Sequence, residues 1–339
     1  MATTLVGTEY TIYRSDGGVV STTKAKIPAL RPTDVLIRVT HSGVCHTDSV
    51  FCGLKSAAAL GHEGVGIVEE IGSAVKHLKV GDRAGGGFHR GACGDCKYCL
   101  SGRDIWCRDR IIFGESDFEN GTFSEYFIAQ EGYVHKIPDA MSSVDAAPLQ
   151  CAGATVYAAL KETVSLGQRV GILGIGGLGH LAIQYASKMG AATVVYSTTA
   201  DKEAEARFWG ASEFYLVNEM FDKQQEPVDV LIIAGTKYPD WDKALNDQFL
   251  ARDGVIVPLS APVNGPLSFS AYPMLFYGYH VHHTLVASRN THRQMLDFSA
   301  RHGIKPLTQV FKHSGLATVE EIFEKLEANQ VRYRAVMEY

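Results

Sequence analysis

Two short stretches carry residue types that can bind a metal ion and do chemistry with it. Gly43-Val44-Cys45-His46-Thr47-Asp48 is followed after a short loop by Gly61-His62-Glu63-Gly64-Val65-Gly66, so a thiol and an imidazole share one local unit with carboxylates beside both. Zinc accepts Cys sulfur and His nitrogen in tetrahedral geometry, and a catalytic zinc takes three protein ligands and leaves the fourth position to water or substrate. Cys45 and His62 supply two. Asp48 and Glu63 are placed to stand behind them, where a carboxylate on the far ring nitrogen of a ligating His fixes its tautomer and raises its basicity. A lone Cys is more often a packing residue, so this pair is only suggestive until the surrounding chain is read. Cys151, where residues 145–153 open a helix, is a candidate third ligand, although without its surroundings it reads as a buried core thiol.

A second cluster is more specific. Cys93, Cys96, Cys99 and Cys107 fall within 15 residues, three of them at regular two-residue gaps. Four thiols can enclose one tetrahedral zinc and leave no position open, which makes the site structural. The same spacing also suits a disulfide pair or an iron–sulfur cluster. A zinc-ribbon nucleic-acid module is disfavoured by the acidic chain and the lack of a basic, aromatic-interleaved face.

The elements that must position these residues need more than one small core. A chain of 339 residues suggests two domains. Its 46% hydrophobic and 20% charged content is ordinary for a globular protein, and a net charge of −5 gives no electrostatic footprint for nucleic acid or an anionic membrane. A small-molecule ligand is the default. The first ten residues show no basic start followed by an apolar run, so neither a signal peptide nor a spanning helix is expected. The protein is read as cytosolic, a compartment in which seven cysteines serve as metal ligands or buried thiols before they serve as disulfides.

From residue 4 to residue 39 the chain reads as strands, clearest at 35–39 and broken by Gly17-Gly18 and by 28–32. Further β segments at 66–72 and 113–137, with the turn Val80-Gly81-Asp82-Arg83, indicate a small antiparallel barrel. The pattern then changes. A buried strand at 168–173 feeds Gly174-Ile175-Gly176-Gly177-Leu178-Gly179, a helix at 180–189 comes after it, and a strand at 192–197 comes next. Strand, glycine turn and helix in that order form the dinucleotide fingerprint: the glycines permit a tight turn and close backbone approach, and the helix N-terminus faces the pyrophosphate. Later segments at 228–234, 241–250, 254–259 and 279–287 continue the alternation of strand and helix, which describes a doubly wound α/β domain. A helix at 291–302, a β-like 308–311 and a helix at 319–329 are expected to return to the first domain.

The end of the second strand of that fold speaks to the nucleotide. An NAD site places Asp or Glu about 20 residues beyond the fingerprint to bind the ribose 2′-hydroxyl. Here Ser197-Thr198-Thr199 offers three hydroxyls and Lys202 a cation, a set that hydrogen-bonds a 2′-phosphate and balances its charge. As ordinary helix-start residues they would carry no such meaning, and Asp201 weakens the positive field. The missing carboxylate and the lysine agree on NADP.

With these motifs together, the sequence resembles the zinc-dependent medium-chain alcohol dehydrogenases over essentially its whole length. Gly43 to Asp48, Gly61-His62-Glu63, the four-cysteine lobe, Pro148-Leu149-Gln150-Cys151-Ala152-Gly153-Ala154-Thr155-Val156-Tyr157 and Val331-Arg332-Tyr333-Arg334 look most like the NADP-dependent cinnamyl alcohol dehydrogenase branch. The resemblance implies a β-rich GroES-like catalytic domain (1–153 and 289–339, with the zinc lobe at about 91–108) and a Rossmann domain (154–288). It implies two zincs per chain, one on Cys45, His62 and Cys151 with Glu63 able to approach, the other on Cys93, Cys96, Cys99 and Cys107. Cofactor contacts are implied at His46, Thr47, Thr155, Gly174, Gly176, Gly177, Leu178, Gly179, Ser197, Thr198, Thr199 and Lys202, and the assembly expected is a homodimer.

In such an enzyme zinc acts as a Lewis acid on an aldehyde or alcohol oxygen and hydride passes to or from the nicotinamide. Thr47 would hydrogen-bond the substrate oxygen and pass its proton toward the cofactor ribose; its plainer reading is a helix or turn cap. Two departures from the family stand beside the expected substrate entrance. Val50 occupies the place where many relatives carry the His that completes the proton relay, and the loop at 51–60 is short and contains Ser56-Ala57-Ala58-Ala59. The cofactor motif would equally permit a reductase of an iminium or an activated double bond, or a non-catalytic nucleotide-binding relative; Cys45, Thr47, His62 and Cys151 speak against the last.

Overall fold

A computed structural model of the protein describes residues 4–53, 57–260 and 267–339. The chain forms two compact units, Met1–Ala154 with Val286–Tyr339, and Thr155–Leu285.

The first unit is built on a seven-stranded sheet whose centre is the 11-residue strand Asp34–Val44. That strand is buried along most of its length and pairs antiparallel with Glu63–Ile71, with Tyr126–Gln130 and with Arg334–Glu338. Runs buried on both faces must be apolar: Val35, Ile37 and Val39 pack on one face with Val68 and Phe127, and Leu36 on the other with Tyr10, Ile12 and Ile27. The strand ends at Val44, and its register sets the surroundings of that end: Gly43 stands opposite Glu63 and Val336. A Cβ at Gly43 would lie 2.1 Å from the Glu63 carboxylate, so only glycine admits that side chain. The hairpin Glu9–Asp16 with Val19–Lys26 turns at Gly17-Gly18, both at positive φ. The tail places the helix Arg289–His302 and the strands Thr308–Lys312 and Arg334–Glu338 in this unit.

The second unit is a six-stranded parallel sheet in the spatial order Glu213–Leu216, Ala192–Ser197, Arg169–Leu173, Val228–Ile233, Leu250–Pro258, His280–Val281. Numbered within the unit the order is 3-2-1-4-5-6, which puts the reversal of strand order between Arg169–Leu173 and Val228–Ile233. Two elements are shorter than their sequence pattern predicts. The helix expected over 241–250 is one turn, Trp241–Ala244, because Asn246 and Asp247 form a turn and Leu250 already enters the next strand. The strand expected over 279–287 pairs only at His280 and Val281, on the edge of the sheet. The helix Glu203–Phe208 and the strand Glu213–Leu216 lie between the segments that the alternation identifies.

A buried polar cluster ties the first unit's helix Arg289–His302 to the chain just before Cys151. His292 Nε2 lies 3.0 Å from Gln150 Oε1, and the His292 ring stacks on His135 at 4.0 Å. His89 packs on Tyr133 at 4.2 Å, with Asp104 3.8 Å from its Nδ1 and Arg289 over the Tyr133 ring. Both His89 nitrogens, His135 Nδ1 and the Tyr133 hydroxyl have no hydrogen-bond partner, and they border a cavity of about 10 Å³, room for one water. Burial keeps the imidazoles neutral: His89 is lowered to about 4, with Asp104 opposing and Arg110 and Arg289 assisting, and His292 to about 3, with His89 and Arg293 assisting. His135 is lowered by burial, then by His292, Arg293 and His89.

Such groups bind protons in the unfolded chain below about 6.5 and in the folded one only near 3–4. Stability should therefore fall as pH drops from about 6.5 toward 4, by about 1.4 kcal/mol per pH unit per histidine. His135→Phe with His292→Gln should flatten the pH dependence of the urea unfolding free energy by about twice that slope; an unchanged slope would mean that these imidazoles already carry protons in the folded state.

Candidate metal and cofactor site

The helix His46–Cys52 begins where the central strand stops, with Cys45 as its N-cap in extended conformation. Asp48, three residues on, is wholly buried and organises the turn. Its Oδ2 accepts the Cys45 N–H at 2.9 Å, while Oδ1 accepts the Gly61 N–H at 3.2 Å and stands 2.8 Å from His62 Nδ1. That bond assigns the ring proton to Nδ1 and leaves a lone pair on Nε2. His62 Nε2 is buried and has no hydrogen-bond partner. An unsatisfied buried ring nitrogen costs about 1–3 kcal/mol unless something binds it.

A set of donors surrounds the unsatisfied nitrogen. One ligand atom from each of Cys45, His62, Glu63 and Cys151 lies within 4.8 Å of all the others. Cys151 arrives on a π-helical segment, Leu149–Gly153, inserted between the helices Ser143–Pro148 and Ala154–Thr163. An extra residue per turn of this kind re-aims a side chain and is frequent at functional sites. The hydrogen bond from Cys151 is the principal cause that lowers the pKa of Cys45, and Cys45 in turn raises that of Cys151. Burial opposes a charge on His62, but Asp48 on one nitrogen and Cys45 near the other raise its pKa to about 10. The same lone pairs that would hold that proton can hold a metal ion, and two sulfurs with one imidazole nitrogen suit zinc. Glu63 is fully buried and accepts from Arg334 at both carboxylate oxygens; burial pushes its pKa up to about 7 against the pull of the guanidinium.

The four-cysteine lobe is separate. Cys93 and Cys99 sulfurs are 3.9 Å apart, Cys96 and Cys99 3.6 Å, Cys107 and Cys93 3.5 Å, and none is bonded to another. The edges of a zinc–thiolate tetrahedron with about 2.3 Å arms are about 3.8 Å long. These residues fit zinc and leave no open position.

In the second unit the glycine turn succeeds the strand Arg169–Leu173 and opens the helix Gly179–Lys188. Gly174 has φ +96 and a Cβ there would meet Gly235 backbone at 2.7 Å; a Cβ at Gly179 would meet the Gly174 carbonyl at 1.9 Å. At Gly176 a Cβ would meet nothing within 4 Å. The first two are needed by the fold, whereas Gly176 leaves open backbone for a ligand to approach. Lys202 reaches back to the turn, donating to the Ile175 carbonyl at 2.9 Å. Ser197 is buried with its hydroxyl accepting the Thr199 N–H at 3.3 Å, and Thr198 and Thr199 are exposed.

Comparison with known proteins agrees with both halves. The sequence family described as the alcohol dehydrogenase GroES-like domain matches residues 31–139, and the zinc-binding dehydrogenase family matches 177–301. A probable formaldehyde dehydrogenase of Bacillus subtilis is 35% identical over 323 residues, covering 91% of each chain. The chain belongs to the zinc-dependent medium-chain alcohol dehydrogenase family. An NADP-dependent alcohol dehydrogenase of Mycolicibacterium smegmatis is 31% identical, again covering 91% of each chain. Among solved structures, the cinnamyl alcohol dehydrogenase of Helicobacter pylori complexed with NADP(H) aligns with a TM-score of 0.86 at 26% identity, covering 97% of this chain and 98% of that one. The relatives it matches are named alcohol dehydrogenases, and an alcohol dehydrogenase is this protein's class. No helix among the described residues is long and apolar enough to cross a membrane.

Cys45, Asp48, His62, Glu63 and Cys151, each legible as a site residue in the sequence, come together in the structure. Thr47 lies on the first turn of the helix with Oγ1 3.6 Å from Cys45 Sγ. Val50 is 39% exposed one turn further on, and residues 54–56 of the short loop lie outside the described residues. Arg334 joins the site although its sequence motif gives it no role there, because its register opposite the Gly43–Cys45 turn is invisible without the tail's strand pairing. The two clusters should respond differently to substitution. Cys45→Ala or His62→Ala should abolish turnover with the circular-dichroism spectrum intact, whereas Cys96→Ala should lower the unfolding midpoint by at least about 5 °C, since a structural metal contributes folding free energy directly. A Cys96→Ala protein as stable as the parent would contradict the structural assignment.

Proposed function

We propose that the protein is an NADP(H)-dependent alcohol dehydrogenase or aldehyde reductase holding two zincs per chain. The observation that carries the reading is the unpartnered His62 Nε2 converging with Cys45, Cys151 and Glu63. Zinc held there would supply a Lewis acid for the substrate oxygen, and NADP(H) the hydride. The chain's own residues do the rest. Asp48 fixes the His62 tautomer and the helix turn that carries Thr47. The Thr47 hydroxyl, beside Cys45, accepts and passes on the substrate's hydroxyl proton. Arg334 offsets the Glu63 charge, so that the carboxylate can lie next to two thiols without making the site net anionic. The buried rings of Phe88 and Phe113 keep water from His62, which strengthens charge interactions there.

Val50 puts an aliphatic side chain one turn beyond Thr47, where no imidazole can take the proton, so the route to solvent runs through water. Val50→His should then alter the pH profile of kcat, because an imidazole in that place titrates near about 6.5. An unchanged profile would show that proton delivery does not limit turnover or takes another path.

The preference for NADP(H) is supported by the absence of a carboxylate at Ser197 and by Lys202 lying against the glycine turn. Relatives named NADP-dependent or solved with NADP(H) fit the same reading. We expect kcat/KM for NADPH to exceed that for NADH by at least about tenfold, or about 1.4 kcal/mol, and Ser197→Asp with Lys202→Ala to reverse the order. Equal use of both by the parent would sink the assignment. A homodimer is the expected assembly, supported by the exposed Tyr272, Leu275 and Phe276 of the helix Ala271–Phe276, which lie 61–77% open to solvent in the isolated chain.

A further inference from the structure

The hydrogen bond from His62 to Asp48 constrains one atom of the imidazole and leaves the tilt of its ring free. The tilt is set by aromatic contacts. Phe113 stacks on His62 with centroids 4.7 Å apart and planes at 29°, and Phe88 meets the imidazole edge-on at 5.8 Å. Phe113 comes directly after the short strand Ile111–Ile112, its N–H donating to the Phe88 carbonyl at 2.9 Å. Phe51 supports its edge at 5.2 Å, and the next residue, Gly114, sits at φ +73 where a Cβ would strike the Phe51 ring at 2.5 Å. Phe113 is only 2% exposed, so it does not meet substrate.

Beside Phe113 lies Arg90, one of the largest buried side chains of the unit, with its guanidinium carbon 5.6 Å from the ring centroid. It gathers the segments around that ring: Nε donates to the Gly87 carbonyl at 2.6 Å, and Nη1 to Asp117 Oδ2 at 2.8 Å and to the Asn120 carbonyl. Burying a guanidinium is expensive unless it is paired, as it is here with Asp117. An apolar side chain would fill the space at lower cost. What the arginine adds is a planar fork of fixed contacts.

We propose that Phe113, seated by Arg90, is a positioning residue for His62: its flat face fixes the plane of the imidazole so that Nε2 stays directed at the point where Cys45, Glu63 and Cys151 converge. The proposal rests on the reading of those residues as a zinc site. Groups that orient a metal's ligands from behind usually change metal affinity by about 10–100-fold when altered, and a stacked ring that sets ligand tilt acts in the same way.

The test is zinc release to a chromogenic chelator, in protein with both sites loaded, from the parent and from Phe113→Leu, which keeps apolar bulk but has no flat face. Phe51→Leu is the control, because it opens comparable space at the edge of Phe113, and the rings against His62 are Phe113 and Phe88. Phases are assigned with Cys45→Ser protein, which keeps only the four-cysteine zinc. Release from the three-ligand site should accelerate about tenfold or more in Phe113→Leu, with the four-cysteine phase unchanged and Phe51→Leu behaving as the parent. The d–d absorption of the cobalt-substituted site should change in Phe113→Leu alone. Parent-like release and absorption in Phe113→Leu would overturn the proposal, as would equal acceleration in Phe51→Leu. Should Phe113→Leu fail to fold, Arg90→Lys, which keeps the charge without the planar fork, is read by the same criteria. A parent that binds only the four-cysteine zinc would refute the three-ligand reading, and the proposal with it, in a way these other outcomes would not.

Discussion

The site depends on one buried carboxylate. Asp48 accepts from the backbone at Cys45 and at Gly61 and pairs with His62 Nδ1, so the helix turn at 45–48 and the segment Gly61-His62, which would otherwise meet by packing alone, are held by charge-assisted hydrogen bonds. Fully buried, it would be costly unpaired. Those bonds satisfy it, and in doing so they fix the helix start at Cys45, the loop end at Gly61 and the tautomer of His62. The aromatic rings then fix the tilt of that imidazole, and the central strand fixes where Cys45 begins.

Charge is balanced in nested layers. Two thiolates would neutralise one divalent cation, and Arg334 answers Glu63 at both oxygens. Arg334 comes from the far end of the sequence, yet its strand lies directly against the one that leads to Cys45. The tail strand is therefore part of the site's electrostatics as well as of the sheet. Gly43 belongs to the same arrangement, because the Glu63 carboxylate occupies the space a side chain would need.

Much of this is legible in the sequence because the motifs are local. Four cysteines at short spacing, the strand before Gly174 and the helix after Gly179, and Cys45 with Asp48 three residues on are all patterns that one turn or loop must obey. The illegible part depends on long-range register. Nothing in the spacing says that Arg334 faces Glu63, that Phe113 stacks on His62, or that residues 149–153 form a π segment re-aiming Cys151. The shortened elements have a similar cause. Periodicity alone extends a helix to residue 250, whereas Leu245, Phe249 and Leu250 are apolar because they enter the core of the second unit around a turn. The buried histidines escape a sequence reading since an isolated His carries no pattern, although His89, His135 and His292 cluster in space.

On this reading Cys45, His62 and Cys151 hold a zinc distinct from the one on Cys93, Cys96, Cys99 and Cys107. X-ray absorption at the zinc edge, combined with elemental analysis, tests that assignment most directly, because sulfur and nitrogen or oxygen neighbours differ in distance by about 0.2–0.3 Å. Two zincs per chain should share six sulfur ligands, an average of three sulfurs per zinc with lighter neighbours making up the rest. One zinc per chain surrounded by four sulfurs would contradict it.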